Sequence, residues 1–182
     1  MKPISIISSS QRGATLIISL LMLLVMTLIG VTATQTTALE EKMAGNLGDQ
    51  NLAFQAAEAA LRAGEGWLGQ QTDEPDPQPL GSCGTPPCDL VWQLNLLNGG
   101  DFVDINWWKT AGEARIYGNA ALAKIKTAPK HFVEYHSFIR NGLTLGKQSD
   151  EVGRHVYRVT ARGTGGTDQA QAILQTTYTR RF

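Results

Sequence analysis

The sequence predicts an α+β fold: one long N-terminal helix, apolar then amphipathic, packed on a C-terminal antiparallel β-sheet. Three observations carry the prediction. Residues 13–39 contain no charged side chain. Leu47, Phe54, Leu61 and Leu68 then recur at heptad spacing, with Met43 and Ala57 at the intervening three-four positions, which lines them along one helical face. From residue 131 onward the pattern changes to two-residue alternation, the period of a strand with one covered face.

The helix is the first element. A membrane-spanning helix needs about 20 mostly apolar residues, and 14–33 supplies a run of that length. A secretory signal has an apolar core of about 7–15 residues followed by a small-residue cleavage site; this run is longer, and TATQTTALEEKMAG after it is a poor site. Lys2 and Arg12 precede the run, and the first charges after it are Glu40 and Glu41, so the amino end is expected on the cytoplasmic side. LAFQAAEAALRA, residues 52–63, consists almost wholly of good helix formers. One helix over about 14–68 is therefore expected, with Gly30, Gly45 and Gly48 as places to bend. Its segments are an apolar half, 14–39, and an amphipathic half, 40–68. The face of Leu47, Phe54, Leu61 and Leu68 is expected to pack on the sheet.

Residues 69–91 read as a loop, because five of the seven prolines lie in TDEPDPQPLGSCGTPPCD. Cys83 and Cys88 are the two cysteines of the chain. A metal site needs four ligands, and no second Cys or His pair stands at ligand spacing. Redox pairs favour two intervening residues. A small structural disulfide between Cys83 and Cys88 is the expectation, which implies an oxidising compartment. Farther on, Trp92, Trp107 and Trp108 are read as partly buried core in preference to an aromatic binding platform. Asp101, Asp104 and Asn106 do not follow the calcium-loop pattern.

The strands close the chain, within a globular part covering 69–182. HFVEYHSFIR is expected to put Val133, Tyr135 and Ile139 on one side. RHVYRVTARG puts Tyr157, Val159 and Ala161 on one face, and Arg154, Arg158 and Arg162 on the other. QAQAILQTTYTR places Ala170, Ala172, Leu174 and Tyr178 opposite Gln169, Gln171, Gln175 and Thr177. GTGGT, residues 163–167, joins these two as a hairpin turn. It does not precede a helix, so it lacks the setting of a phosphate cradle. His131, His136 and His155 have no nucleophile motif beside them, and His131 and His136 fall on opposite faces. No catalytic residue, metal site or cofactor is expected. The 16 basic and 16 acidic residues leave no net charge, so nothing argues for a nucleic-acid partner.

A short basic leader ending in glycine, an uncharged run directly after it, and a helix with an amphipathic second half resemble a type IV pilin. The finer similarity is to PilX-type minor pilins, in RGATLIISLLMLLVMTLIG, TTALEEKMAGNLGDQNLAFQAAEAALRAGE and YRVTARGTGGTDQAQAILQTTY. The resemblance implies the pilin fold, a leader of residues 1–13 removed after Gly13, and methylation of the new amino terminus at Ala14. It implies partners as well: other minor pilins, the major pilin, a tip adhesin, the prepilin peptidase and the inner-membrane assembly platform. The chain would cross the inner membrane once, with its C-terminal domain periplasmic, and would reach the cell-surface pilus after assembly. The family more often has phenylalanine where Ala14 stands. Most pilins also carry glutamate at the fifth residue after the cleavage glycine, and here that residue is Ile18. Carboxylate-free minor subunits of this kind are assigned to the tip, so the resemblance implies priming of pilus assembly and a place at or near the pilus tip. Two alternatives stay open at this point: a minor pseudopilin of a type II secretion system, and a permanently anchored periplasmic binding module.

Overall fold

The computed structural model describes residues 13–79, 82, 91–94, 107–108, 114–117, 124–142 and 153–182. The chain divides into two units, residues 1–45 and 46–182. Helix α1, Ala14–Gln70, supplies the described part of the first unit and opens the second. This is an α+β pilin-like architecture of one long apolar N-terminal helix and a C-terminal sheet. Cys83, Cys88, Asp101, Asp104 and Asn106 lie outside the described residues.

In the first unit every described residue is exposed, including Leu16, Ile17, Leu20, Leu21, Leu23 and Leu24. A helix that is apolar all round has no polar face to give to water, which is the composition of a lipid-facing or assembly-facing segment.

The second unit is built on a sheet of strands β1 (Pro77–Gln78), β2 (Val91–Trp92), β3 (Arg115–Ile116), β4 (Lys130–Arg140), β5 (Gly153–Thr164) and β6 (Gln171–Arg180). Their order is β1-β2-β4-β5-β6, with β3 also paired to β4. The three long strands are antiparallel, as expected. The sheet as a whole is mixed, because β1 runs parallel to β2 and β2 parallel to β4. The proline-rich stretch therefore contributes a strand where a loop was expected. Two residues are too few to show a period, and proline is tolerated at a sheet edge, where its missing N–H costs no ladder bond.

Between Tyr135 and Ser137 the register of β4 against β5 slips by one residue. A bulge of this kind turns every later side chain to the opposite face. Ile139 consequently does not join Val133 and Tyr135; it is 54% exposed, and Phe138 stands opposite His155 instead.

The face of α1 that meets the sheet also differs from the expected one. Leu68 is fully buried, but Leu61 is only half-buried, and Leu47 and Phe54 are 61% and 50% exposed. The buried positions are Ala53, Ala56, Ala57, Ala60, Gly64 and Leu68. The reason lies in the strand beneath. The inward residues of β5 shrink along its length, Tyr157, Val159, Ala161, Gly163, and a Cβ on Gly163 would stand 2.3 Å from the backbone nitrogen of Ala57. A seam this close admits only alanine and glycine from the helix, so the large heptad residues turn away. Leu68, Val91, Val133, Tyr157 and Val159 fill the wide end of the wedge, with Trp67, Tyr135 and Tyr178 packed around them.

The other face of the sheet is covered in part, around Phe132. Trp107 meets Phe132 edge-to-face and Trp108 packs tilted against it, with ring centroids 4.9 and 5.4 Å away, and the Lys130 ammonium donates to the Trp108 carbonyl at 2.5 Å. Trp92 and Trp108 are buried, in keeping with the core reading of the tryptophans.

Candidate functional site

The apolar first half of α1 is the first candidate. Gly13 sits in a turn, Ala14 is the first helical residue, and Ile18 is 60% exposed one turn later. The hydroxyls of Ser19, Thr27, Thr32, Thr34, Thr36 and Thr37 each donate to a carbonyl three or four residues earlier, at 2.8–3.1 Å. Each is thus satisfied by its own helix, which removes the penalty of an unpaired donor in hydrocarbon. The helix is long and apolar enough to cross a membrane.

The second candidate is the seam between helix and sheet. At its narrow end the backbone N–H groups of Gly166 and Thr167 and the Thr167 hydroxyl all donate to the Asp49 carboxylate. The glycine-rich turn expected between the last two strands is therefore a carboxylate clasp for the helix. Gly165 makes room for it: a Cβ there would stand 2.2 Å from Asp49 Oδ1. Hydrogen bonding by Thr167 chiefly, and by the two amides, outweighs desolvation and holds the Asp49 carboxyl below its ordinary value. A carboxylate with a lowered pKa stabilises the fold above its unfolded value of 3.8. That contribution is lost as pH falls through the lowered value. Asp49→Ala is expected to lower the melting temperature of the full chain in detergent at neutral pH and to speed hydrogen exchange at the Gly166 and Thr167 amides. Unchanged exchange at those two amides would show that the clasp does not hold the turn.

At the wide end, Arg180 of β6 donates to the carbonyl of Leu68, one of the last of α1. The same carbonyl accepts from the Gln71 N–H at 3.3 Å; carbonyls at a helix C-terminus carry a partial negative charge, so a guanidinium there adds to the cap. His155 Nδ1 lies 2.7 Å from Glu74 Oε1, which brings the chain just past the helix close to β5.

Mid-seam lies His131, 4% exposed, with Cδ2 2.9 Å from the place a Cβ on Gly64 would take. Neither of its ring nitrogens has a hydrogen-bond partner. Burial first, and the Arg115 charge second, pull its pKa down to about 4, so the ring is neutral at pH 7. This is a packed core histidine with its edge against the helix.

The arginine row of β5 does not form an anion platform. Arg158 is paired with the buried Glu134 at 2.8 Å and Arg162 donates to Gln171 at 3.3 Å, which leaves Arg154 as the exposed member. Among the described residues no group of three His, Cys, Asp or Glu side chains could hold a metal. Sequence reasoning missed Asp49, Gly64 and Arg180. The alanine and glycine spacing at 53, 57, 60 and 64 was a readable signal for the seam, but nothing local marks Asp49 or Arg180, whose partners are more than 100 residues away.

Two family models match the chain. One, described as PilX N-terminal, matches residues 12–62. The other, described as type IV pilus assembly protein PilX C-term, matches residues 68–180. No curated protein and no solved structure matches it.

Proposed function

The chain belongs to the PilX family of type IV pilus assembly proteins, and from that premise we propose that it primes pilus assembly and takes a place at or near the pilus tip. Membership carries the coarser statement, a membrane-anchored minor pilin, structural in its role. The finer reading rests on one observation, that the fifth residue after Gly13 is Ile18 and not a carboxylate. A glutamate buried in lipid is costly without a partner. In pilins it pairs with the free amino terminus of a neighbouring subunit. A subunit without it makes no such bond to a subunit above, which suits the first position of a filament and no later one.

The reading has a sequence of events. The leader 1–13 is removed after Gly13, Ala14 becomes the methylated amino terminus, and the helix half 14–39 passes from the membrane into the filament. The globular part, residues 69–182, then meets the other minor pilins, the major pilin and a tip adhesin, and supports twitching motility and adhesion. Mass spectrometry of the mature chain is expected to find methylated Ala14 at the amino terminus; an intact Met1 would overturn the processing. In Ile18→Glu, labelled protein is expected to spread from the tip along the shaft. Tip labelling and piliation identical to the parent would leave the missing carboxylate with no explanatory role.

A further inference from the structure

The sheet has two edges, and they are treated differently. At one edge stands β1, two residues long and set in EPDPQP, where prolines remove the donors that a foreign strand would use. At the other stands β6, ten residues long, bonded to β5 on one side and to no strand on the other among the described residues. Its sequence, QAILQTTYTR, has no proline and no lysine, and it is rich in residues that favour strands. The one charge it carries is Arg180, and that side chain is turned onto the Leu68 carbonyl. A charge used in that way does not guard the edge. Natural sheets blunt long edges with charges, prolines, bulges or cover; among the described residues β6 shows none of these except Arg180, which is already engaged.

We propose that β6 is a docking edge, which receives an extended strand from a different subunit of the pilus assembly by β-strand addition. The geometry defines what fits. Ala172, Leu174 and Tyr178, on the helix-facing side, are half-buried, so they have area left to cover. On the other side Gln171, Gln175, Thr177 and Thr179 are exposed and Ile173 is half-buried. The incoming strand therefore has apolar side chains on the face continuing Ala172, Leu174 and Tyr178, polar ones on the opposite face except beside Ile173, and no proline along the paired length. Main-chain hydrogen bonds supply affinity and the alternating side chains supply selection. The donor is a different subunit and not a second copy, because two copies pairing through the same edge form a closed two-fold contact. A filament grows by contacts that join unlike surfaces. The choice of donor rests on the assembly role proposed above; the open edge does not.

The test uses the full chain in pilus-producing cells. In an antiparallel strand, successive residues turn their N–H groups alternately inward and outward. Of Thr176→Pro and Thr177→Pro, one therefore breaks a bond to β5 and the other removes a donor only from the open edge. The first is expected to lower the melting temperature of the chain in detergent. The second is expected to leave it within a few degrees of the parent while cutting pilus number about tenfold or more. A photo-crosslinking residue at position 179 is expected to capture another pilus subunit in the parent and to lose that product in the stable proline variant. Crosslinks and piliation unchanged in that variant overturn the proposal, as does capture of a second copy alone. If the chain is processed at Gly13 and found in pili but position 179 captures nothing, the edge proposal fails and the pilin reading stands. Capture of another subunit by a chain never found in pili has the reverse meaning.

Discussion

Gly163→Ala is expected to lower the unfolding free energy of the globular part by about 3 kcal/mol or more, the upper end of what overpacking costs. The methyl group would stand 2.3 Å from the Ala57 nitrogen, 2.4 Å from the Ala53 carbonyl oxygen and 2.8 Å from the Ala56 carbonyl carbon. All three atoms are helix backbone, so no rotamer change relieves the clash. Either the helix lifts from β5 along the seam or the strand bends away. For a chain of this size about 2–4 °C is lost per kcal/mol, so the melting temperature is expected to fall by roughly 6–12 °C. Gly66→Ala is the internal control. It lies in the same helix with nothing within 4 Å of its Cβ, and alanine there is expected to be neutral or to gain up to about 1 kcal/mol. Thermal denaturation of the two full-length variants in detergent checks both. Equal melting temperatures would mean that the seam is not closed at Gly163.

Acid is expected to loosen the same seam at its middle. The His131 pKa lies at about 4 in the fold against 6.5 in an unfolded chain. Between those values the unfolded chain takes up a proton that the folded chain refuses, so stability falls as pH falls. The contribution is complete above pH 6.5 and gone below about 4. Each pKa unit is worth about 1.4 kcal/mol, so the loss over this window is about 3 kcal/mol. Urea denaturation of the full chain in detergent at steps from pH 7.5 to 4 is expected to show this slope, and His131→Leu to flatten it. The Asp49 clasp acts at lower pH, below 3.8, so the two effects separate on the pH axis. A slope unchanged in His131→Leu would place its source elsewhere.

How far these features could be read beforehand depends on their range. The helix and the three long strands were legible because each has a period: 57 residues without a break in one case, clean alternation in the others. The boundaries of β4, β5 and β6 came within two residues. The bulge at Tyr135–Ser137 carries no composition signal, so it reversed the side of Ile139 unannounced. The packing face of α1 was misread for a physical reason. A heptad of large apolar residues predicts burial, yet the narrow space over Ala161 and Gly163 selects for small size, and Leu47 and Phe54 do not fit it. Of the candidate positions, the roles proposed for Gly13, Ala14 and Ile18 are spacings along the chain, so they can be stated without the fold. The Asp49 clasp and the Arg180 cap could not, since each exists only after distant segments meet.

That distance has a consequence for the order of events when the protein is made. Asp49 waits for Gly166, 117 positions later, and the Leu68 carbonyl, already met by the Gln71 N–H, gains Arg180 from 112 positions later. Both ends of the seam are closed by the hairpin of β5 and β6. While the ribosome is still adding residues 71–150, the small-residue face of the helix has no partner, because β5, which lies beneath it, is not yet made. The globular part thus folds after synthesis of residues 153–180 and not alongside it. Contacts of such long range fold slowly, so a newly made chain spends an interval with Leu68, Val133 and Tyr157 uncovered. A chain that ends before Arg180 lacks one of the two closures of the seam.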